Sequence, residues 1–548
     1  MYLLITTSKG KSGKIYRSAK IVKSYKTSER KSRQKIIQNL GPVKTEQDEI
    51  KFREIVENMK KGKEFVDIDS MTFKSSKSYG IYYTVSQLFE KYGLDKILKF
   101  NLSKGKHQFD VYAIIKALIT NRLENPLSKN KAFDYIQKDY PEKIVCKKED
   151  LYHAMDVLEV NKENIEFELF NQLKKLFKLD LSKAHYDVTS SYFEGHKCEI
   201  ATYGYSRDHR PDKEQIIIGL VLVDGIPIYH EVSKGNTSDK TTVLDVVETL
   251  KTKFRIEKPT VIGDRGMFTQ DNIEQLEKNE ENYILGFSKV GNKITEEVLQ
   301  KEVAIHNHQT QCATLGKEEI IEYSKENIQT RRYILCIDKN TQKEQLKTLE
   351  KIKEYISDNL TILEEKFEGS QNSKKGKIMT WESLISQAKR ITNKNKRLFT
   401  VNYEHKNQKF SFELNQDWYH REQKAAGKFV LVTNTSKTPL EILNIYKELN
   451  TVESSFNCIK NQLDLRPVNH YKTERVKAHV FICVLALLIE KIMQKSLKNM
   501  SVQSALDTLK RLKKGSFQFE MTIKNKLTEI SSEQKEILEQ MKIILPLI

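Results

Sequence analysis

No stretch of this 548-residue chain is apolar for long enough to cross a bilayer. The longest uncharged apolar run, 478–489, has twelve residues, whereas a spanning helix needs roughly 20. The first residues, MYLLITTSKGK, lack the charged start and apolar stretch of a secretory signal, so export is not expected. Cysteine is sparse and scattered. Cys146, Cys198, Cys312, Cys336, Cys458 and Cys483 include no Cys-x-x-Cys pair. That argues against a disulfide framework or a clustered zinc site and for reduced thiols in a cytoplasm. No P-loop is present, and no RNP or KH signature supports RNA binding.

Acidic residues are nearly missing from one region. Residues 1–44 hold nine Lys and three Arg against Glu29 alone, which is +11 of the total net charge of +19. Such a segment is either a solvated basic tail or a phosphate-binding arm. Tyr16 and Tyr25 lie among the charges, and Asn39-Leu40-Gly41-Pro42 reads as a closing turn. A second basic stretch covers 374–397. Two separated basic surfaces suggest a polyanion held at more than one place. With 38 % hydrophobic and 30 % charged residues the chain is too apolar for disorder and too polar for a membrane protein. Its length suggests three to four domains of about 150 residues.

Apolar periodicity predicts helices from about 80 to 180, with Thr84 capping the first and Pro126 stopping the one over 109–123. Strands follow. In 185–193, Tyr186 and Val188 point one way and Asp187, Thr189 and Ser191 the other. Two apolar runs flank Asp224-Gly225, a hairpin signal. A helix over 241–254, with Ser238 or Asp239 as cap, a buried strand over 259–263, a helix over 271–279 and a strand over 283–287 complete the pattern. This order predicts a mixed sheet covered by helices, with a parallel pair made through a crossover. Residues 290–440 read as mixed, including a charged helix over 341–367. Ile442, Ile445, Leu449, Val452, Phe456, Ile459 and Leu463 then step by three and four, an amphipathic helix over 438–463. A more buried helix covers 473–495, and the tail is helical in part.

Three acids stand out. Asp187 sits within a strand, where aspartate is disfavoured unless partnered. Asp264 follows a short buried strand and precedes Arg265-Gly266; the carboxyl ends of parallel strands are where α/β sheets place their sites. If the two strands are neighbours, the two carboxylates face each other, an arrangement that needs a cation. Glu453 lies between Tyr446 and Lys460 at spacings of seven, a polar line along the border of the buried helix face. Each of the three, taken alone, also fits a loop, cap or solvated-edge residue.

The segments YDVTSSYFE around Asp187, VIGDRGMFTQDNI around Asp264 and YKELNTVESSFNCIK around Glu453 resemble the three catalytic boxes of DDE transposases. The last is similar to the Tyr-x2-Arg-x3-Glu-x6-Lys signature of the insertion-sequence-four superfamily. Tyr446, Glu453 and Lys460 match it, and Leu449 departs from its arginine. Lys447 or Arg466 is a candidate substitute. The blocks GYSRDHRPDKEQ, GNTSDKTT, AGKFVLVTNT and LDLRPVNHYKTERVKAHVFICVLALL resemble one branch of these enzymes.

The resemblance implies an α/β fold: an RNase H-like mixed sheet with flanking helices, interrupted by a partly β insertion domain and preceded by a helical DNA-binding module. The implied boundaries are a basic arm (1–62), the helical module (63–180), the first part of the core (181–289), the insertion (290–439), the core helix bearing Glu453 (440–499) and a helical tail (500–548). It implies Asp187, Asp264 and Glu453 as catalytic ligands of two Mg²⁺ ions, with Mn²⁺ as substitute. Tyr446, Lys460, Arg265 and Trp418 are the implied DNA contacts, Trp418 by stacking on a flipped base, although a core role for it competes. Asp208 is a lesser candidate near the metals. The implied partners are double-stranded DNA (terminal repeats and target) and a second copy of the chain, in a bacterial cytoplasm. A nuclease without strand transfer and a non-catalytic DNA-binding repressor are the competing readings.

Overall fold

The computed structural model describes residues 1–9, 13–26, 31–62, 71–237, 239–264, 270–287, 312–315, 318–324, 331–372, 378–404, 409–519 and 522–546. Two compact units emerge. One holds 1–78 with 512–530; the other holds 79–511 with 531–547.

The chain opens on an antiparallel sheet of β1 (Tyr2–Lys9), β2 (Ile15–Lys26) and β3 (Ser32–Pro42). The turn read at Asn39–Pro42 is instead the end of β3. Asn39 and Gly41 still pair with Lys20 and Ala19, across a register shift. Gly41 has φ +98° there, a conformation open to glycine. Helix α1 (Glu46–Lys60) starts at a capping box made by Thr45 and Asp48. Glu49 of α1 binds Arg17 of β2 at 2.6 Å. β4 (Met71–Ser78) follows.

Six helices come next: α2 (Gly80–Lys91), α3 (Leu94–Leu102), α4 (Val111–Glu124), α5 (Lys129–Lys138), α6 (Lys148–Val160) and α7 (Lys162–Phe177). Thr84 does not cap α2. The buried stripe starts one turn earlier, at Ile81, and the Thr84 hydroxyl donates to the Gly80 carbonyl at 2.9 Å. These helices share one hydrophobic core with the strands that follow, so packing draws no line near residue 180.

β5 (Lys183–Tyr192), β6 (Gln215–Val223) and β7 (Ile226–Lys234) form an antiparallel meander. Asp224 and Gly225, at φ +49° and +75°, make the tight β6–β7 turn. α8 (Asp239–Thr252) then crosses over to β8 (Thr260–Gly263), and α9 (Gln270–Lys278) to β9 (Asn282–Phe287). The candidate cap Ser238 lies outside the described residues. β8 runs parallel to both β5 and β9. β10 (Cys312–Leu315), β11 (Glu318–Ser324) and β12 (Arg332–Asp338) lead into α10 (Lys339–Gln371), α11 (Trp381–Thr392), the hairpin β13 (Phe399–Glu404) and β14 (Lys409–Leu414), and α12 (Gln416–Ala425). β15 (Lys428–Thr433) closes this part. The main sheet has nine strands in the order β10-β11-β12-β15-β9-β8-β5-β6-β7. Four strands read as part of the insertion thus extend the main sheet. What is inserted is the body from α10 to α12, with its own core of Ile356, Leu360, Leu363, Phe367, Leu384 and Phe410.

The helix read over 438–463 is broken. α13 (Pro439–Lys447) and α14 (Leu449–Asn457) meet at Glu448, and a π-helical turn (Cys458–Gln462) follows. α15 (Thr473–Ser496) packs on α4, α6 and β7. The tail is not simply helical: between α16 (Val502–Leu509) and α17 (Ser532–Gln540), β16 (Lys513–Phe519) and β17 (Thr522–Leu527) form a hairpin that pairs with β4. The Phe73 and Phe517 rings meet edge-on at 5.5 Å in that sheet.

One buried lysine makes stability depend on pH. Lys129, at the start of α5, lies 3.1 Å from His479 Nδ1, while His479 Nε2 donates to the Leu465 carbonyl at 3.1 Å. Burial, and then the Arg122 charge, pushes Lys129 down to about 7. A lysine depressed in the folded state gives full stability above its unfolded value and loses it as pH falls toward the folded value. Chemical unfolding between pH 7.5 and 10 should therefore show stability rising with pH, by up to about 1.4 kcal/mol per unit for one proton. Lys129→Met should flatten that rise, and parallel profiles for the two proteins would refute the assignment.

Candidate active site

The register of the parallel pair builds the site. Lys183 lies beside Thr260, Ala184 beside Val261 and His185 beside Ile262. The same offset of 77 separates Asp187 from Asp264. Counted on at that offset, beyond the last paired residues, Asp264 falls opposite Asp187, and its charge acts on Asp187. Asp187 is half-buried within β5, and Asp264 is exposed just past the C-terminal end of β8. Glu453 comes from the exposed side of α14, which packs on β5.

The charges of all three meet at Asp187. Its carboxyl is pushed up to about 7, mainly by burial. The Val188 N–H, donating to Asp187 Oδ1 at 2.8 Å, and the Arg207 charge oppose the shift, while the negative charges of Asp264 and Glu453 add to it. The acids do not form a closed ligand set: among the described residues no group of three or more His, Cys, Asp or Glu side chains is arranged to hold a metal ion. Asp264 is also engaged elsewhere. Tyr446 Oη donates to its Oδ1 at 3.0 Å, and the Tyr446 ring stacks on Phe429 at 6.3 Å.

A contact from a distant strand marks the junction before Glu453. His185 Nε2 donates to the Ile445 carbonyl at 3.0 Å. That carbonyl also accepts from the Glu448 N–H at 3.2 Å, an i→i−3 contact beside the α-helical one that the same N–H makes to the Asn444 carbonyl at 3.3 Å. All seven residues of the apolar stripe, Ile442 to Leu463, are nevertheless buried. Leu449 is among them, so the side chain in the signature's arginine position faces the core.

Lys460 sits in the π-helical turn, not on a continued straight line from Glu453. Its Nζ donates to Asp208 Oδ1 at 2.7 Å, and Arg466 donates to the same oxygen at 2.7 Å. Asp208 is 3 % exposed, Lys460 10 % and Arg466 27 %. Burial pulls the Lys460 pKa down, and the bond to Asp208 opposes that shift. Arg466, a candidate for the missing arginine, thus lies beside Lys460 on a shared carboxylate. Arg207 was not singled out in the sequence. It lies one residue before Asp208, its N–H donates to Ser190 Oγ at 2.8 Å, and its charge acts on both Asp187 and Lys460. The block GYSRDHRPDKEQ was the available signal for it.

Trp418 occupies the first turn of α12, half-buried against the insertion core. The Arg397 and Arg421 guanidinium carbons each lie 5.0 Å from its ring centre. No described contact links it to the three acids. Arg265, and Lys374, Lys375 and Lys377 of the second basic stretch, lie outside the described residues.

A family model described as a transposase DDE domain matches residues 184–489, more than half of the chain. The chain belongs to the DDE transposase family. The transposase also matches, over residues 3–69, the N-terminal domain of IS1634-family transposases, which makes it the enzyme of an insertion sequence. A cryo-EM structure of the piggyBac transposase synaptic complex with hairpin DNA is similar at a TM-score of 0.32 and 9 % identity, over 78 % of this chain and 79 % of that one. No curated protein sequence matches the transposase. Among its described residues no helix is long and apolar enough to cross a membrane.

Proposed function

We propose that the transposase cuts the ends of its own DNA element and joins the freed 3′-OH ends to target DNA, with Asp187, Asp264 and Glu453 as the catalytic carboxylates. The register of β5 on β8 supports the reading, because its offset of 77 residues is also the spacing of Asp187 and Asp264. The residues suit a divalent cation in donor type and charge. All three donors are carboxylates, hard ligands that favour Mg²⁺, or Mn²⁺, over zinc. Asp187, burdened by two like charges, is relieved by a cation. Asp187 would be the shared ligand, with Asp264 and Glu453 each holding one side. Bound there, a pair of such ions supplies polarisation of the attacking oxygen and neutralisation of the leaving 3′ oxygen.

The protein's own groups hold the DNA. Tyr446 orients Asp264 and lies near the scissile phosphate. Lys460 and Arg466, with Arg207, set a positive potential beside the acids, and Arg466 takes the part of the arginine missing at Leu449. Trp418, flanked by two guanidinium groups, offers a stacking face to an extruded base. The RNase H-like sheet carries the chemistry, and the helices over 80–177 contribute DNA binding. Two copies bring two element ends together. Water attacks first and frees a 3′-OH, which then attacks the target strand. Each phosphodiester broken in the joining step is replaced by one formed, which fits a chain without a P-loop.

A plasmid carrying the flanks of the coding sequence, mixed with a target plasmid and the purified chain in Mg²⁺, tests this. Excised ends and joined products are expected, and EDTA should abolish both. Cutting without joining would reduce the protein to a nuclease, and duplex binding with neither would reduce it to a repressor.

A further inference from the structure

The β2–β3 pair runs on beyond β1. β1 pairs with β2 only as far as Tyr2 and Val22, whereas β3 remains paired through Lys26 and Ser32. Past Val22 the sheet is a two-stranded ribbon. Its register sets Lys23 opposite Lys35 and Tyr25 opposite Arg33. Residues two apart on a strand share a face, so these four form one array. All four are exposed, Tyr25 by 47 %.

The array is costly for the folded chain. Like charges directly opposite each other weaken a sheet, and a two-stranded ribbon is marginal by itself. The described strands bring no acid of their own: β1, β2 and β3 hold seven Lys or Arg and no Asp or Glu, and Glu49 of α1 pairs with Arg17, outside the ribbon. An anion bound to this face removes the repulsion. The dimensions choose between the grooves of a duplex. Two strands about 4.8 Å apart fit, with their side chains, a major groove roughly 12 Å wide and not a minor groove of about 6 Å.

We propose that the ribbon formed by residues 22–26 and 32–36 enters the major groove of duplex DNA, with Lys23, Arg33 and Lys35 on the flanking phosphates and Tyr25 over the base edges. The proposal rests on the DNA-acting role above and names the element by which the N-terminal unit grips the duplex.

Binding of the full chain to a mixed-sequence duplex of about three helical turns, in EDTA and across a salt series, is the test. Loss of three phosphate contacts should make the slope of log K against log salt shallower by about 2.7. The variant Lys23→Ala/Arg33→Ala/Lys35→Ala should show that change and bind at least about tenfold more weakly near 0.1 M salt. The charge-keeping variant Lys23→Arg/Arg33→Lys/Lys35→Arg should restore the slope, which a merely misfolded sheet would not do. Methyl green, a major-groove ligand, should displace the wild type, and the minor-groove ligand netropsin should not. A wild-type slope in the alanine variant, or displacement by netropsin alone, would overturn the proposal. Because no cleavage is read, failure of the cutting chemistry leaves this result standing. A chain that cuts and joins DNA yet keeps its salt slope after the alanine substitutions sinks the ribbon alone.

Discussion

Asp187→Asn, Asp264→Asn and Glu453→Gln are each expected to lower strand cleavage by about 10³-fold or more while duplex binding stays within about threefold. Removing one ligand of a catalytic ion forfeits several kcal/mol of charge stabilisation in the transition state, and each 1.36 kcal/mol is tenfold in rate. The amides keep the local structure. In Asp187→Asn the side-chain oxygen still accepts from the Val188 N–H, which the carboxylate does at 2.8 Å. In Asp264→Asn it still accepts from Tyr446, now at 3.0 Å. Glu453 is exposed, so Glu453→Gln leaves the core untouched. A loss of cleavage therefore reports on chemistry and not on folding. Gel assays of nicking on end-containing duplexes, beside binding measured in EDTA, separate the two. Near-normal nicking by any one of these variants removes that residue from the site.

The parts of this arrangement that are local in the chain were legible from its sequence. Alternation in 185–193 put Asp187 on a strand, and the short apolar run before Asp264 marked the end of another. The hairpin at Asp224-Gly225 and the stripe from Ile442 to Leu463 are written in neighbouring residues, and the folded chain keeps both. What depends on distant partners was not legible. At the junction of α13 and α14 the Ile445 carbonyl accepts from His185, 260 residues upstream. Lys460 reads as an edge lysine until Asp208, 252 residues away, is placed against it. β12 and β15 are short, almost continuous apolar runs, and nothing in such a run says that β15 pairs with β9 and so joins the main sheet. The basic start hid its strands because charge, rather than apolar alternation, dominates residues 1–44.

Asp208→Asn is expected to destabilise the folded chain by about 3 kcal/mol, more than either of its partners removed alone. One oxygen of Asp208 neutralises two cations, Lys460 and Arg466, each at 2.7 Å. Taking away a buried charge partner costs about 3–5 kcal/mol because the remaining charge stays desolvated. The lower figure applies here since Arg466, 27 % exposed, can turn toward water. Lys460→Met is different: Arg466 remains on Asp208, so no buried charge is left alone, and the cost should be about 1 kcal/mol, the scale of one hydrogen bond. The double variant Asp208→Leu/Lys460→Met should therefore be more stable than Asp208→Asn, because a hydrophobic pair of similar volume replaces the ions. Urea unfolding of the three variants reads this ordering directly. Nicking then separates packing from DNA contact. If Lys460 reaches a phosphate, the double variant is stable but nicks slowly, with the loss shrinking at saturating DNA, as removal of uniform binding requires. If Asp208→Asn unfolds at the wild-type urea midpoint, the shared carboxylate is not the anchor of Lys460, and the positive face beside Asp187 has to be held by something else.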